Sequence, residues 1–124
     1  MSHSQERTLI KLLLPEGMLD YFELAKVDFV DDVFKIYLQE INIAPVEYAS
    51  DKLSSKGFYE EIKIQDFPIR GKPAFLYVKR RRWTNDSTGE IVSRNWEMVA
   101  KGTRLTKDFA AFLKVIHRYQ SGQL

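Results

Sequence analysis

Four consecutive cations, Lys79-Arg80-Arg81-Arg82, followed by Trp83, are the residues of this chain whose types bear most directly on chemistry. They close an alternating apolar run that begins after the turn Ile69-Arg70-Gly71-Lys72. Burying a charge without a partner costs several kcal/mol, so these side chains must face water or a partner. Phosphate is the natural partner of clustered arginine, because the planar guanidinium fork matches it bidentately. Strand alternation puts Phe75, Tyr77, Lys79, Arg81 and Trp83 on one face, with Ala74, Leu76, Val78, Arg80 and Arg82 on the other. Each face passes from apolar to cationic, which predicts a strand anchored in a core at its start and projecting beyond it at its end. Trp83 either stacks on a base or an arginine or caps the core, the arginines then pairing with local acids.

Arg70, Lys72, Arg94, Lys101, Arg104 and Lys107 extend this basic set. Lys101-Gly102-Thr103-Arg104 precedes the last predicted helix, where backbone amides and a helix N-terminus suit a phosphate; Gly102 serves equally well as a plain turn former. The net charge of +2 conceals a sorting along the chain. Residues 1–61 carry six Lys/Arg against twelve Asp/Glu, and residues 62–107 carry eleven against four. Such sorting is the footprint of an electrostatic surface, for which a solvated basic face is the plain alternative.

Other chemistries find little support. The chain has no cysteine, hence no disulfide, thiolate zinc site or cysteine nucleophile. His3 and His117 lack companions at metal-ligand spacing. Asp66 beside Phe67-Pro68 reads as a backbone cap, and Asp31-Asp32 as a hairpin turn. No phosphate-binding P-loop, nucleophile elbow or dinucleotide fingerprint is present. The expectation is a protein that is not an enzyme and needs no cofactor or metal.

The elements that must position the cations follow from periodicity. Pro15 suits the first turn of a short N-terminal helix. Phe22–Val30 and Val33–Ile41 flank Asp31-Asp32 as a hairpin. Residues 42–58 read as a polar connecting loop. Ile62 to Pro68 and Ala74–Arg82 form a second hairpin, and Ile91–Val99 returns as a third strand. Thr106 is a candidate N-cap, and Phe109, Phe112, Leu113 and Ile116 at i, i+3, i+4 and i+7 form one apolar helical face. The predicted fold class is α+β: antiparallel β-hairpins with a basic ribbon-like region, a short N-terminal helix and a packed C-terminal helix over 106–119. After a flexible start at 1–8, residues 9–120 make one domain, with an acidic half at 9–61 and a basic half at 62–107.

At 124 residues, 44% hydrophobic and 13% aromatic, the composition is globular. No apolar run reaches membrane-spanning length and no secretory signal is evident. A cytoplasmic protein without membrane contact is expected.

Three segments together resemble insertion-sequence transposases. They are Ile64 to Lys72, Leu76 to Trp83, and Thr103 to Phe109. They are similar to the N-terminal zinc-ribbon region of ISL-three-type transposases, with its Asp-x-Pro-x-x-Gly turn, apolar strand ending in paired arginines, and later Arg-x-Thr before a helix. The whole chain resembles still more the ISAon-type N-terminal regions of split bacterial elements, through Leu14-Pro15-Glu16-Gly17, Leu19-Asp20-Tyr21-Phe22, Lys56-Gly57-Phe58-Tyr59 and Arg80 to Thr84. The resemblance spans residues 12–114 and implies DNA binding at element ends beside a separate catalytic subunit. The cysteine knuckles of the ribbon are replaced here by Ala44-Pro45-Val46-Glu47 and Trp83-Thr84-Asn85. The implication is therefore a zinc-free ribbon, stapled by Phe58, Tyr59, Trp83 and Trp96.

The expected function is a non-catalytic DNA-binding accessory module, with a duplex partner contacted through the basic strand. The alternative is a protein-interaction or structural subunit whose basic face binds an acidic partner. Single-stranded DNA or RNA is a further possibility, since aromatics beside arginines suit unpaired bases.

Overall fold

A computed structural model describes residues 3–102 and 106–120. It contains helices α1 (His3–Leu13), α2 (Trp96–Gly102) and α3 (Lys107–Gln120). The strands are β1 (Phe22–Val30), β2 (Val33–Glu40), β3 (Leu53–Phe58), β4 (Ile62–Ile69), β5 (Lys72–Lys79), β6 (Arg81–Asn85) and β7 (Ile91–Ser93). The α+β class expected from the sequence holds. The chain divides into two compact units, Phe22–Asn95 with all the strands, and Met1–Tyr21 with Trp96–Leu124.

The strand unit holds two sheets, ordered β1-β2-β5-β4 and β3-β6-β7. The first is two hairpins laid side by side. Asp31 and Asp32 have φ of 53° and 61°, and Arg70 and Gly71 have φ of 55° and 76°. Positive φ at both central residues is the two-residue turn whose twist matches that of the flanking strands. Asp and Gly are residue types that tolerate it. Between the hairpins, β2 and β5 run parallel, with Ile36 opposite Leu76 and Leu38 opposite Val78. Both tight turns therefore lie at the same end of the sheet, and Lys72 of one bridges to Asp32 of the other at 3.5 Å.

One face of this sheet is buried: Ile36 and Leu38 of β2, Ala74, Leu76 and Val78 of β5, Ile62 and Ile64 of β4. The other face carries half-exposed Tyr37, Phe75 and Tyr77. At β1 the alternation is broken by an irregularity between Leu24 and Lys26. This edge strand is exposed over most of its length, with a bulge and a lysine of the kind that discourages further pairing.

The helical unit is built on aromatic packing. Phe109, Phe112, Leu113 and Ile116 are buried, as the spacing predicts, together with Leu14, Met18, Leu19 and Trp96. Phe109 stacks on Phe112 at 6.0 Å and on Tyr21 at 6.4 Å, and Tyr21 meets Trp96 edge-on at 5.6 Å. The hydroxyl of Thr106 accepts from the Phe109 N–H at 3.2 Å, so the predicted N-cap is in place. Gly17 has φ of 95°, and a Cβ there would lie 3.1 Å from the Phe109 ring. Gly17→Ala combines left-handed strain with a clash and is expected to destabilise the protein by about 1–3 kcal/mol in chemical denaturation.

Four expectations differ from the structure. The N-terminal helix precedes Pro15 instead of following it: residues 5–13 are free of Gly and Pro, and proline disfavours helix at the residue before it. Only a single 3₁₀ turn, Met18–Asp20, follows. The loop at 42–58 contains β3, whose Leu-Ser-Ser-Lys-Gly-Phe sequence lacks alternation and is placed by pairing with β6. The third strand ends at Ser93, and the residues after Asn95 form α2, supported by a Glu97–Lys101 pair one turn apart at 3.9 Å.

The fourth difference concerns the basic strand itself. Ala74–Arg82 is not one strand: β5 ends at Lys79 in the first sheet and β6 begins at Arg81 in the second. At the break, the Arg80 carbonyl accepts from the Tyr59 N–H at 2.8 Å. The Arg81 N–H donates to the Glu40 carboxylate at 2.9 Å. A backbone donor that leaves the ladder is thus satisfied by a buried side chain.

Candidate nucleic-acid interface

Glu40 ends β2 and is fully buried. Besides the Arg81 N–H it accepts from Arg94 Nε at 2.9 Å. Arg94 also donates to the Ile43 carbonyl at 2.6 Å and lies 5.8 Å from the Trp83 ring. Trp83 in turn donates its Nε1–H to the Asn42 side-chain oxygen at 2.9 Å. Arg81 Nε donates to the Glu40 carbonyl at 3.1 Å and its NH1 to Ser55 Oγ at 2.6 Å, while its guanidinium covers Phe58 at 4.5 Å. These groups join the two sheets through one buried carboxylate. Burial pushes the Glu40 carboxyl above its ordinary value of 4.5, against the opposing pull of the Arg81 and Arg94 hydrogen bonds and charges.

Two of the sequence-predicted contacts are therefore corrected. Trp83 is 1% exposed and Arg94 6%. Neither can reach a base or a phosphate in this fold, because each is spent on the inter-sheet junction. Trp83 takes the core-capping role that alternation left open. Arg81 is half-exposed but committed to Glu40 and Ser55.

Arg80 and Arg82 are arranged differently. Both are half-exposed, and their guanidinium groups lie 5.2 and 5.7 Å from the centroid of the same ring, Tyr59. Arg82 Nε donates to the Lys56 carbonyl at 3.2 Å, which fixes its direction. Arg82 makes no ion pair among the described residues. Half-exposed Lys79 precedes Arg80 in the chain, and exposed Lys56 supplies the carbonyl that holds Arg82. Arg80 and Arg82 lie over Tyr59, Arg81 over Phe58 and Arg94 over Trp83, whereas Trp96 belongs to the helical unit. Among the described residues no cluster of three or more His, Asp or Glu side chains could hold a metal.

Within the strand unit, two of the remaining predicted residues do not join this group. Arg70 and Lys72 sit at the opposite end of β5, about 23 Å away for seven residue steps of an extended strand. Arg70 is exposed in its turn, and Lys72 is engaged by Asp32. Lys101 pairs with Glu97, and Lys107 opens α3. Arg104 lies outside the described residues.

Two sets of cations escaped the sequence reading. On α3, Lys114 and Arg118 follow the predicted Lys107 at i+7 and i+11 around Ala111, all exposed. That spacing makes a single stripe on the helix, beside its apolar face. On the solvent face of the four-stranded sheet, Lys26 and Lys63 flank the aromatic rings; their placement depends on pairings that link residues far apart in sequence. No helix among the described residues is long and apolar enough to cross a membrane. Comparison of the chain with protein-family models, curated proteins and solved structures gave no match.

Proposed function

We propose that this chain is a non-catalytic nucleic-acid-binding module, and that duplex DNA meets it where Arg80 and Arg82 share Tyr59, with Lys79 and Lys56 as neighbouring cations. The observation that carries this reading is the pair of half-exposed arginines whose guanidinium groups share one ring. Two like charges held together repel, and a polyanion relieves that repulsion while releasing its counterions. Stacking on Tyr59 and the Lys56 carbonyl orient the arginine forks in advance, which lowers the entropy lost when they grip phosphate. The motif resemblance supports a setting in a split insertion element, with this module on element-end DNA beside a separate catalytic subunit.

Fluorescence anisotropy on a labelled duplex tests the surface. Arg80→Ala with Arg82→Ala is expected to weaken binding about tenfold or more, two charge-assisted contacts being worth some 1.5–3 kcal/mol each. Arg70→Ala with Lys72→Ala, at the far end of β5, is expected to leave affinity within about twofold. Arg81 is spared because its loss would open the junction at Glu40. Equal losses from both pairs would contradict the assignment. A folded protein that binds no nucleic acid would leave the acidic-protein-partner reading in its place.

A further inference from the structure

The open face of the four-stranded sheet is unusual for a surface that meets water. Its two central strands carry three aromatic rings instead of the short polar residues common at such positions. The parallel register sets Lys35 beside Phe75, Tyr37 beside Tyr77 and Gln39 beside Lys79. Tyr37 and Tyr77 stack at 4.8 Å with 15° between their planes. On one flank, β4 places Lys63 opposite Tyr77 and Gln65 opposite Phe75. The Lys63 ammonium lies 4.3 Å from the Phe75 centroid and 5.9 Å from that of Tyr77. On the other flank, β1 places Lys26 opposite Tyr37, its ammonium 4.8 Å from the ring centroid. Rings thus occupy the middle of the face and ammonium groups both sides.

We propose that this face binds unpaired nucleotides, the bases stacking on Tyr37, Tyr77 and Phe75 while Lys26, Lys63, Lys35 and Lys79 meet the phosphates. Every base presents a π-face, so a row of rings takes a single strand without reading its sequence. Long, flexible lysines that lie over the rings in the free protein can swing aside onto phosphate oxygens, exchanging a cation–π contact for an ion pair. The charge balance fits: four lysines share the face with Glu23 and Asp28, and Lys26 already bridges Asp28 at 3.4 Å. A duplex is the wrong partner, because its bases are stacked inside and a flat sheet enters neither groove. An acidic peptide would use the lysines but leave the rings without a role. Lys79 continues the face toward Arg80, so one strand of nucleic acid can run from the platform to the arginine pair. The proposal rests on the nucleic-acid reading above for its class of ligand but, Lys79 apart, on different residues.

The test is anisotropy with single-stranded DNA, single-stranded RNA and blunt duplex, each about twelve nucleotides long, a length within the usual site sizes. Tyr37→Thr with Tyr77→Thr keeps strand-forming residues at both positions and is checked by circular dichroism. It is expected to lose about tenfold or more on single strands and to stay within about twofold on duplex. Lys26→Gln with Lys63→Gln keeps the rings and decides the matter if the tyrosine variant fails to fold; it too is expected to weaken single-strand binding selectively and to flatten its salt dependence. Unchanged single-strand affinity in these variants, or equal losses on single strand and duplex, overturns the platform. Wild-type binding to duplex alone would also sink it, yet leave the arginine reading standing. Binding to single strands alone would do the reverse, and binding to neither would remove both.

Discussion

Arg94→Ala destabilises the protein by ~3–5 kcal/mol, the range for removing one partner of a buried ion pair. The size follows from what is left behind. Glu40 is fully buried, and its carboxylate would keep the Arg81 N–H but lose the guanidinium 2.9 Å away. The Ile43 carbonyl would lose its 2.6 Å donor, and the Trp83 ring its covering cation. Urea denaturation of the wild type, Arg94→Ala and the double variant Glu40→Leu with Arg94→Leu checks the reasoning. Removing both charges leaves no stranded carboxylate, so the double variant is expected to recover part of the loss. Arg94→Ala within about 1 kcal/mol of the wild type would show that Glu40 does not depend on the pair.

The same site has a pH signature. The Glu40 carboxyl is raised in the folded state by burial, so the fold binds its proton more tightly than the unfolded chain does. Its contribution to stability is complete below the ordinary value of 4.5 and is lost as pH rises through the higher folded-state value. Glu40→Gln removes this dependence. The stability difference, wild type minus Glu40→Gln, is therefore expected to shrink as pH increases across that window; a flat or growing difference would contradict it.

Phe112→Ala is expected to cost a further ~3–5 kcal/mol, through lost burial and the cavity left in the helical unit. The ring is 3% exposed and stacks on Phe109, itself fully buried. A change below about 1 kcal/mol in the same denaturation assay would mean that the helical unit collapses around the gap or is not part of the measured transition.

What could be read in the sequence was local. Thr106 and the Phe109, Phe112, Leu113, Ile116 spacing located α3, since cap and apolar face repeat within one or two turns. Asp31-Asp32 and Arg70-Gly71 located both hairpins, because each turn sits between alternating runs. What was not legible depends on contacts between distant residues. Glu40 and Arg94 are 54 positions apart, and no local pattern marks them as partners. Alternation from Phe75 to Trp83 continues without a proline or glycine, so nothing in the sequence announces that the chain changes sheets at Arg80. That change separates arginines that look equivalent: Arg81 is turned to the junction with Trp83 and Arg94, and Arg80 and Arg82 to the rim around Tyr59. The aromatic face was half visible, as Phe75 and Tyr77 on one side of β5, but Tyr37 joins them only through the parallel pairing of β2 with β5.

Everything proposed for the duplex surface depends on the grip of Arg80 and Arg82 on phosphate. Its most direct test is the salt dependence of duplex binding by the wild type and by Arg80→Ala with Arg82→Ala. Each phosphate neutralised contributes about 0.9 to the log–log slope on duplex DNA. The double variant is expected to lower the magnitude of the slope by about 1.8 while thermal stability changes little. An unchanged slope and affinity in a folded double variant would contradict it, and would return both arginines to the role of surface side chains packed on Tyr59.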